Sequence, residues 1–398
     1  VTSSPSLPPL DSLAITARGA VTCIGSGRDS HVVAMREGRS GLTDCDLPEV
    51  SFPCAIGRVA GIEEMLFPVG HAAYDNRASR LAFAALETDG LTDAVKRAIA
   101  RYESRRVGLV VGTSTSGVER LESVYRAWPG EGPLAADYSL RHHNDHHAVT
   151  AFAAELLGIE GPSYTISTAC SSSAKALVDA SELIRLGLCD AVLAGGVDSL
   201  CLTSLYGFEA LQLVSRGPCR PFDAGRDGLS IGEAAGFVLI EREGEGMRFA
   251  GYGETSDATT MSTPPEDGAG VAAAMRAALR RGSLAPEQVD FVKLHGTATQ
   301  VNDSTEGAAV AAVFGAPDAA SLKGMIGHTL GAAGAVEIVL CLDAMEAGIR
   351  PGTVGLSQPD PEIPFAARST PSEEPISIAI CNNAGFGGSN CSVILRTA

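Results

Sequence analysis

The sequence predicts a layered α/β protein with largely buried strands, and three observations carry that reading. Apolar runs bounded by glycine recur along the 398 residues, alanine-rich amphipathic stretches separate several of them, and 45 glycines stand against only 5% aromatic residues. Strands covered on both faces read as continuous apolar runs, and their alternation with helical patterns implies stacked layers. With so few aromatics, tight backbone packing and many turns must take the place of a large aromatic core.

In chain order, 107–112 (VGLVVG) is a glycine-bounded strand and 148–157 (AVTAFAAELL) an alanine-rich helix. Thr165-Ile166 end a strand that turns, at Cys170, into a helix beginning Ser171-Ser172-Ser173-Ala174. Two further buried strands follow at 191–196 and 236–240, then a helix at 271–281. The apolar strand 289–294 delivers His295 into a Gly/Thr-rich turn, His328 precedes a helix made almost wholly of small residues, and 376–380 is a late strand. The small-residue starts of the helices after Cys170 and His328 suit two buried helices packed closely together between sheets. Pro/Gly/Asp-rich punctuation falls at 129–133, 216–218 and 262–270, the last being the expected junction. The halves are placed at 11–250, carrying the nucleophile, and 251–398, carrying both histidines; no repeat is obvious at the residue level.

Composition excludes several classes of function. No apolar run approaches the roughly 20 residues needed to span a bilayer, and the N-terminal stretch lacks the basic-then-apolar pattern of a signal peptide, so a cytoplasmic protein is expected. Ten cysteines are scattered with no C-x-x-C pair, which favours reduced thiols. A formal charge of −17 argues against nucleic acid or an anionic membrane as the main partner. The run His142-His143-Asn144-Asp145-His146-His147 has i, i+4 histidine spacing but no H-E-x-x-H and no assignable third ligand, so it reads as a solvated helix start and no metal is expected. Without a G-x-G-x-x-G after a strand or a P-loop, no nucleotide cofactor is implied, and none of any kind is expected.

Three residues carry chemistry. Cys170 stands at a helix N-terminus, where unpaired N–H groups and the dipole favour a thiolate. His295 and His328 each stand at an element end beside glycines, which sets them apart from packing histidines. The segments T-A-C-S-S-S around Cys170, H-G-T-A-T at His295 with Asp303 and Glu306 following, K-G-M-I-G-H-T-L-G-A-A-G-A-V-E around His328, and G-F-G-G-S-N at 385–390 resemble the β-ketoacyl-acyl-carrier-protein synthases of the Cys-His-His group. The likeness spans nearly the whole chain and extends to G-G-V-D at 195–198 and R-P-F-D at 220–223.

That resemblance implies the duplicated five-layer αβαβα thiolase-like fold and a decarboxylative Claisen condensation. Cys170 would hold the acyl chain as a thioester, and His295 and His328 would stabilise the enolate of malonyl-acyl-carrier protein. The backbone N–H groups of Cys170 and Phe386 would form the oxyanion hole, with Phe386 also acting as a gate. Thr297 and Thr299 would bind the pantetheine arm, Lys323 and Glu337 would orient the site behind His328, and Asp303 would support the turn. The resemblance further implies a partner acyl carrier protein with phosphopantetheine-linked acyl and malonyl groups, and a homodimer or a heterodimer with a paralogous subunit. An acidic carrier needs a local basic contact on so acidic a protein, and Arg216 is the candidate, with Arg220 more structural. Departures at Gly324, Ala384, Thr259-Thr260 and Thr115 point to a wider or more polar acyl pocket, with Thr115 and Ala384 as substrate-binding positions. The Cys170 segment also looks similar to synthases of pigment or polyene pathways. The competing readings are a catalytically weak chain-length partner, which typically lacks the nucleophile, and a thiolase acting on CoA thioesters. A thiolase would need a second cysteine near Cys381 or Cys391, and neither has a C-x-G setting.

Overall fold

The computed structural model of this chain describes residues 12–398; the stretch inspected above for a signal peptide lies outside the described residues. Its large sheet follows ten strands: β1 (Leu13–Thr22), β2 (Val107–Gly112), β3 (Ser163–Ile166), β4 (Ala191–Asp198), β5 (Ala234–Glu241), β6 (Met247–Ser256), β7 (Phe291–Leu294), β8 (Ala319–Ser321), β9 (Ile378–Gly385) and β10 (Ser389–Arg396). Their spatial order is β8-β7-β9-β10-β6-β1-β5-β4-β2-β3. Counted outwards from the central β6/β1 pair, each arm runs first, fifth, fourth, second, third. The sense of pairing also matches step for step: parallel at β2/β3, β2/β4, β7/β8 and β7/β9, antiparallel at β4/β5, β1/β5, β9/β10 and β6/β10. The chain is a duplication in topology, although it does not advertise one in sequence.

Six of the helices mark the layers: α1 (Arg77–Leu86), α2 (Ala148–Leu157), α3 (Ser172–Arg185), α4 (Ala269–Arg281), α5 (Gln300–Phe314) and α6 (Ala333–Ala347). One apolar cluster joins α1 and α2 to the outer face of the first arm, through residues such as Leu81, Phe152, Leu109 and Phe237. Another joins α4 and α5 to the second arm, through Met275, Val310, Val292 and Ile380. Between the arms lie α3 and α6, whose Leu177, Ile184, Val339 and Leu342 share a core with Val192 of one arm and Cys381 of the other. The result is the expected αβαβα stack. The arms meet through the register Leu13↔Phe249, Ala14↔Arg248 and Ile15↔Met247. Every residue of α6 from Ala333 to Met345 is buried, as befits a helix walled in on all sides.

The boundary expected at 250/251 falls inside β6, a ten-residue strand of the second repeat; the turn between Glu241 and Met247 separates the halves instead. The punctuated stretch 262–270 connects β6 to α4 within the second half. Among the described residues no helix is long and apolar enough to cross a membrane.

Candidate active site

The turn from β3 into α3 holds Ala169 at φ 53°, a left-handed conformation unusual for a residue with a side chain. This sharp turn presents Cys170 two residues before α3, and the thiol is buried. Burial pushes it up to about 11, outweighing Lys323 and the backbone N–H groups of Phe386 and Cys170, which favour the thiolate. Desolvation thus opposes the thiolate expected at a helix N-terminus. Cys170 Sγ lies 3.0 Å from His328 Nε2.

His295 follows β7 directly, and its ring meets that of His328 edge to face, with centroids 5.4 Å apart. Burial and nearby ammonium charge hold both histidines well below the ordinary imidazole range, so both are neutral. The His295 turn is pinned by carboxylates at the start of α5. Glu306 accepts from the N–H groups of His295 at 2.7 Å and Gly296 at 2.8 Å, and Asp303 accepts from those of Ala298 at 3.1 Å and Phe222 at 2.8 Å. Lys323 Nζ donates to Glu337 at 2.5 Å and to the carbonyl of His295 at 2.6 Å, and stands 3.4 Å from His295 Nδ1. The charge pair thus sits behind His295, not behind His328 as expected. Contact at Nδ1 leaves Nε2 as the protonated nitrogen of His295, available as a donor.

Cys170, His295, His328, Thr297, Thr299, Ala384 and Phe386 all line one cavity of about 220 Å³. Thr297 and Thr299 are joined through their hydroxyls at 3.0 Å, and the half-buried Phe386 ring packs on Phe208 at 5.6 Å. Thr115 is outside that lining. Its hydroxyl and N–H are both spent on Asp198 Oδ1, at 2.8 Å each. Arg216 is half exposed and paired with Glu209 at 2.9 Å. Cys381 and Cys391 are buried away from the cavity, and all ten cysteines are unpaired. The histidine run is only partly solvated: His143 is buried and accepts from Ser139 N at 3.0 Å, while His146 and His147 are exposed. Among the described residues no three His, Cys, Asp or Glu side chains are grouped to hold a metal ion.

Sequence reasoning gave no role to two contributors. Asp198 is buried and accepts from Thr113 Oγ1, Ser114 N, Thr115 and Gly331 N, tying the turn after β2 to the start of α6; in the sequence it showed only as the end of the G-G-V-D stretch. The apolar wall of Phe208, Leu211, Leu213 and Val271 carries no motif at all.

Two family models cover most of the chain: the β-ketoacyl synthase N-terminal domain matches residues 74–245 and the C-terminal domain residues 247–357. The chain belongs to the β-ketoacyl synthase family. It is a condensing enzyme of the acyltransferase class, as its relatives' names agree. A polyketide β-ketoacyl synthase of Streptomyces virginiae is 32% identical over 97% of this synthase and 98% of that protein. A mitochondrial 3-oxoacyl-[acyl-carrier-protein] synthase of Arabidopsis thaliana is 36% identical over 60% of this chain and 57% of that protein. A ketosynthase from Xenorhabdus doucetiae, solved in complex with its chain length factor, superposes with a TM-score of 0.87 at 32% identity over the full length of both chains. The break between the two family models, at 245/247, coincides with the turn between β5 and β6.

Proposed function

We propose that Cys170 is the nucleophile of this synthase and that His295 and His328 are its enolate donors, in a condensation fed by acyl and malonyl groups on an acyl carrier protein. The observation that carries this reading is the 3.0 Å approach of Cys170 Sγ to His328 Nε2 beside neutral His295, all facing one cavity. In the first step Sγ attacks the thioester carbon, the thiol proton goes to the departing pantetheine sulfur, and an acyl–Sγ bond replaces the carrier thioester. In the second, malonyl-carrier loses carbon dioxide, and the electron pair of the broken C–C bond forms an enolate whose oxygen the Nε2–H groups of the two histidines hold. The enolate carbon then attacks the acyl carbon, its oxyanion rests on the N–H groups of Cys170 and Phe386, and Sγ leaves to recover its proton.

The same reading gives Thr297 and Thr299 the pantetheine arm and Arg216 a contact with the acidic carrier. It makes a second copy or a paralogous subunit the partner, a choice supported by the Xenorhabdus relative's association with a chain length factor. Thr260, Ser262, Thr263 and Asn302 in the lining favour the more polar or unsaturated chains suggested by the Cys170 segment. Mass spectrometry after incubation with acyl-carrier protein tests the core of it: acyl mass on the peptide containing Cys170, followed by β-ketoacyl product on adding malonyl-carrier, is expected. Product formation without acylation of Cys170 would overturn it.

A further inference from the structure

Lys293 takes no part in the steps above, yet it is one of the most deeply buried charges in the molecule. It stands on β7 two residues before His295, so strand alternation puts both on one face. Its ammonium donates to Glu337 Oε2 at 2.5 Å and to the carbonyl of Asn382 on β9 at 2.6 Å. Lys323 holds the other oxygen of Glu337 at 2.5 Å and also touches His295. Two ammonium groups therefore share one carboxylate, with all three side chains at 0% exposure. A buried ion pair costs desolvation even when balanced, and a surplus charge costs more. What the reaction adds to this surrounding is negative charge: a thiolate on Cys170, then an enolate oxygen between the histidines.

We propose that Lys293 is a positioning residue for the condensation: it occupies one oxygen of Glu337 so that Lys323 stays directed at His295, and its positive charge, beside that of Lys323, favours the anionic states of the cavity. The proposal rests on the histidines being the enolate donors. The charged and titratable groups facing His295 are Lys293 on its own strand, Glu306 from α5, Lys323 and His328 from the segment before α6, Glu337 from α6, and Cys170 across the cavity; Cys381 of β9 faces Lys293. Of these, Lys323, Lys293 and neighbouring His328 oppose protonation of His295, and Lys323 and Lys293 oppose that of His328.

The test is the pH profile of malonyl-carrier decarboxylation by Lys293→Met, Lys293→Arg and the unmodified chain. Removing the charge should lower kcat on the order of tenfold with KM little changed, and should raise the acid limb by about one pH unit, because the histidines then protonate more readily. Lys293→Arg should return the limb towards its original position. A folded Lys293→Met with the original kcat and limb overturns the proposal, since a purely structural lysine would lower Tm and leave the limb in place. Should Lys293→Met not fold, the unmodified chain labelled at lysine Cε decides by NMR titration: two charged ammonium groups at neutral pH uphold the shared hold on Glu337, and a neutral amine at Lys293 or Lys323 overturns it. Decarboxylation undiminished in His295→Ala would remove the premise instead, a result independent of any Lys293 variant.

Discussion

The turns that open the two central helices are copies of one another with different contents. Thr168-Ala169-Cys170 leads into α3 and Thr329-Leu330-Gly331 into α6, with Ala169 and Leu330 at φ 53° and 52°. Each follows the third strand of its half. In the first, the residue after the left-handed position is the thiol that opens on the cavity. In the second it is glycine, whose N–H donates to Asp198 at 2.6 Å and where a Cβ would come 2.7 Å from Asp198 Oδ2 and from Ser114 Oγ. Duplication thus provided two equivalent positions at the start of a central helix, and only one has room for a side chain. The second half spends its copy on locking the halves together and contributes His328 from just upstream.

Breaking the occupied turn should have the largest effect. Cys170→Ala is expected to remove acylation and condensation by roughly 10³-fold or more while malonyl decarboxylation persists, read by product chromatography and carbon dioxide release. Condensation at the original rate would end the comparison, because the two turns would then be chemically equivalent. Replacing the histidines comes next: His295→Ala and His328→Ala should each slow decarboxylation about 10²-fold, the usual consequence of losing one preorganised donor. Acyl trapping on Cys170 should survive better in at least one of them.

A smaller effect sharpens the account of the thiol itself. With Cys170 pushed up to about 11, its alkylation by iodoacetamide should accelerate about tenfold per pH unit between roughly pH 7 and 9, following the thiolate fraction. A plateau already reached at neutral pH would show that the helix start wins over desolvation. The smallest effects concern stability. Gly331→Ala should lower unfolding stability by about 1–3 kcal/mol in urea titrations, through crowding against Asp198 and Ser114. Ala169→Gly, which relaxes left-handed backbone at the cost of chain entropy, should shift it by less than about 1 kcal/mol.

The sequence disclosed strands where apolar runs were unbroken, as at β2, β4 and β5, and drew attention to Cys170, His295 and His328 because each stands at an element end among small residues. It concealed β6, whose Gly251 and Gly253 read as breakers. Gly253 is there because α4 lies on that face, where a Cβ would come 1.9 Å from the carbonyl of Ala274. It concealed β8, three residues long. The duplication was hidden because equivalent turns share backbone shape while Cys170 and Gly331 share no chemistry. Thr115 was misplaced for a related reason: a hydroxyl in a loop reads as available until its buried acceptor, Asp198, comes into view. Lys293, set in an apolar strand, showed nothing of the carboxylate 44 residues away that it shares with Lys323.

The placement of α3 and α6 between the arms also governs how the chain is made. While the ribosome is still adding the second half, the inner face of the first arm and the flank of α3 that α6 will cover have no partner. From Arg185 to Ala347, the ends of the two helices, synthesis at the usual pace takes on the order of 10–30 s. For that interval the nascent chain presents an apolar surface to the cell. A holding chaperone, or slow translation placed after α6 rather than before it, bears on the yield of active synthase as directly as any residue in the cavity.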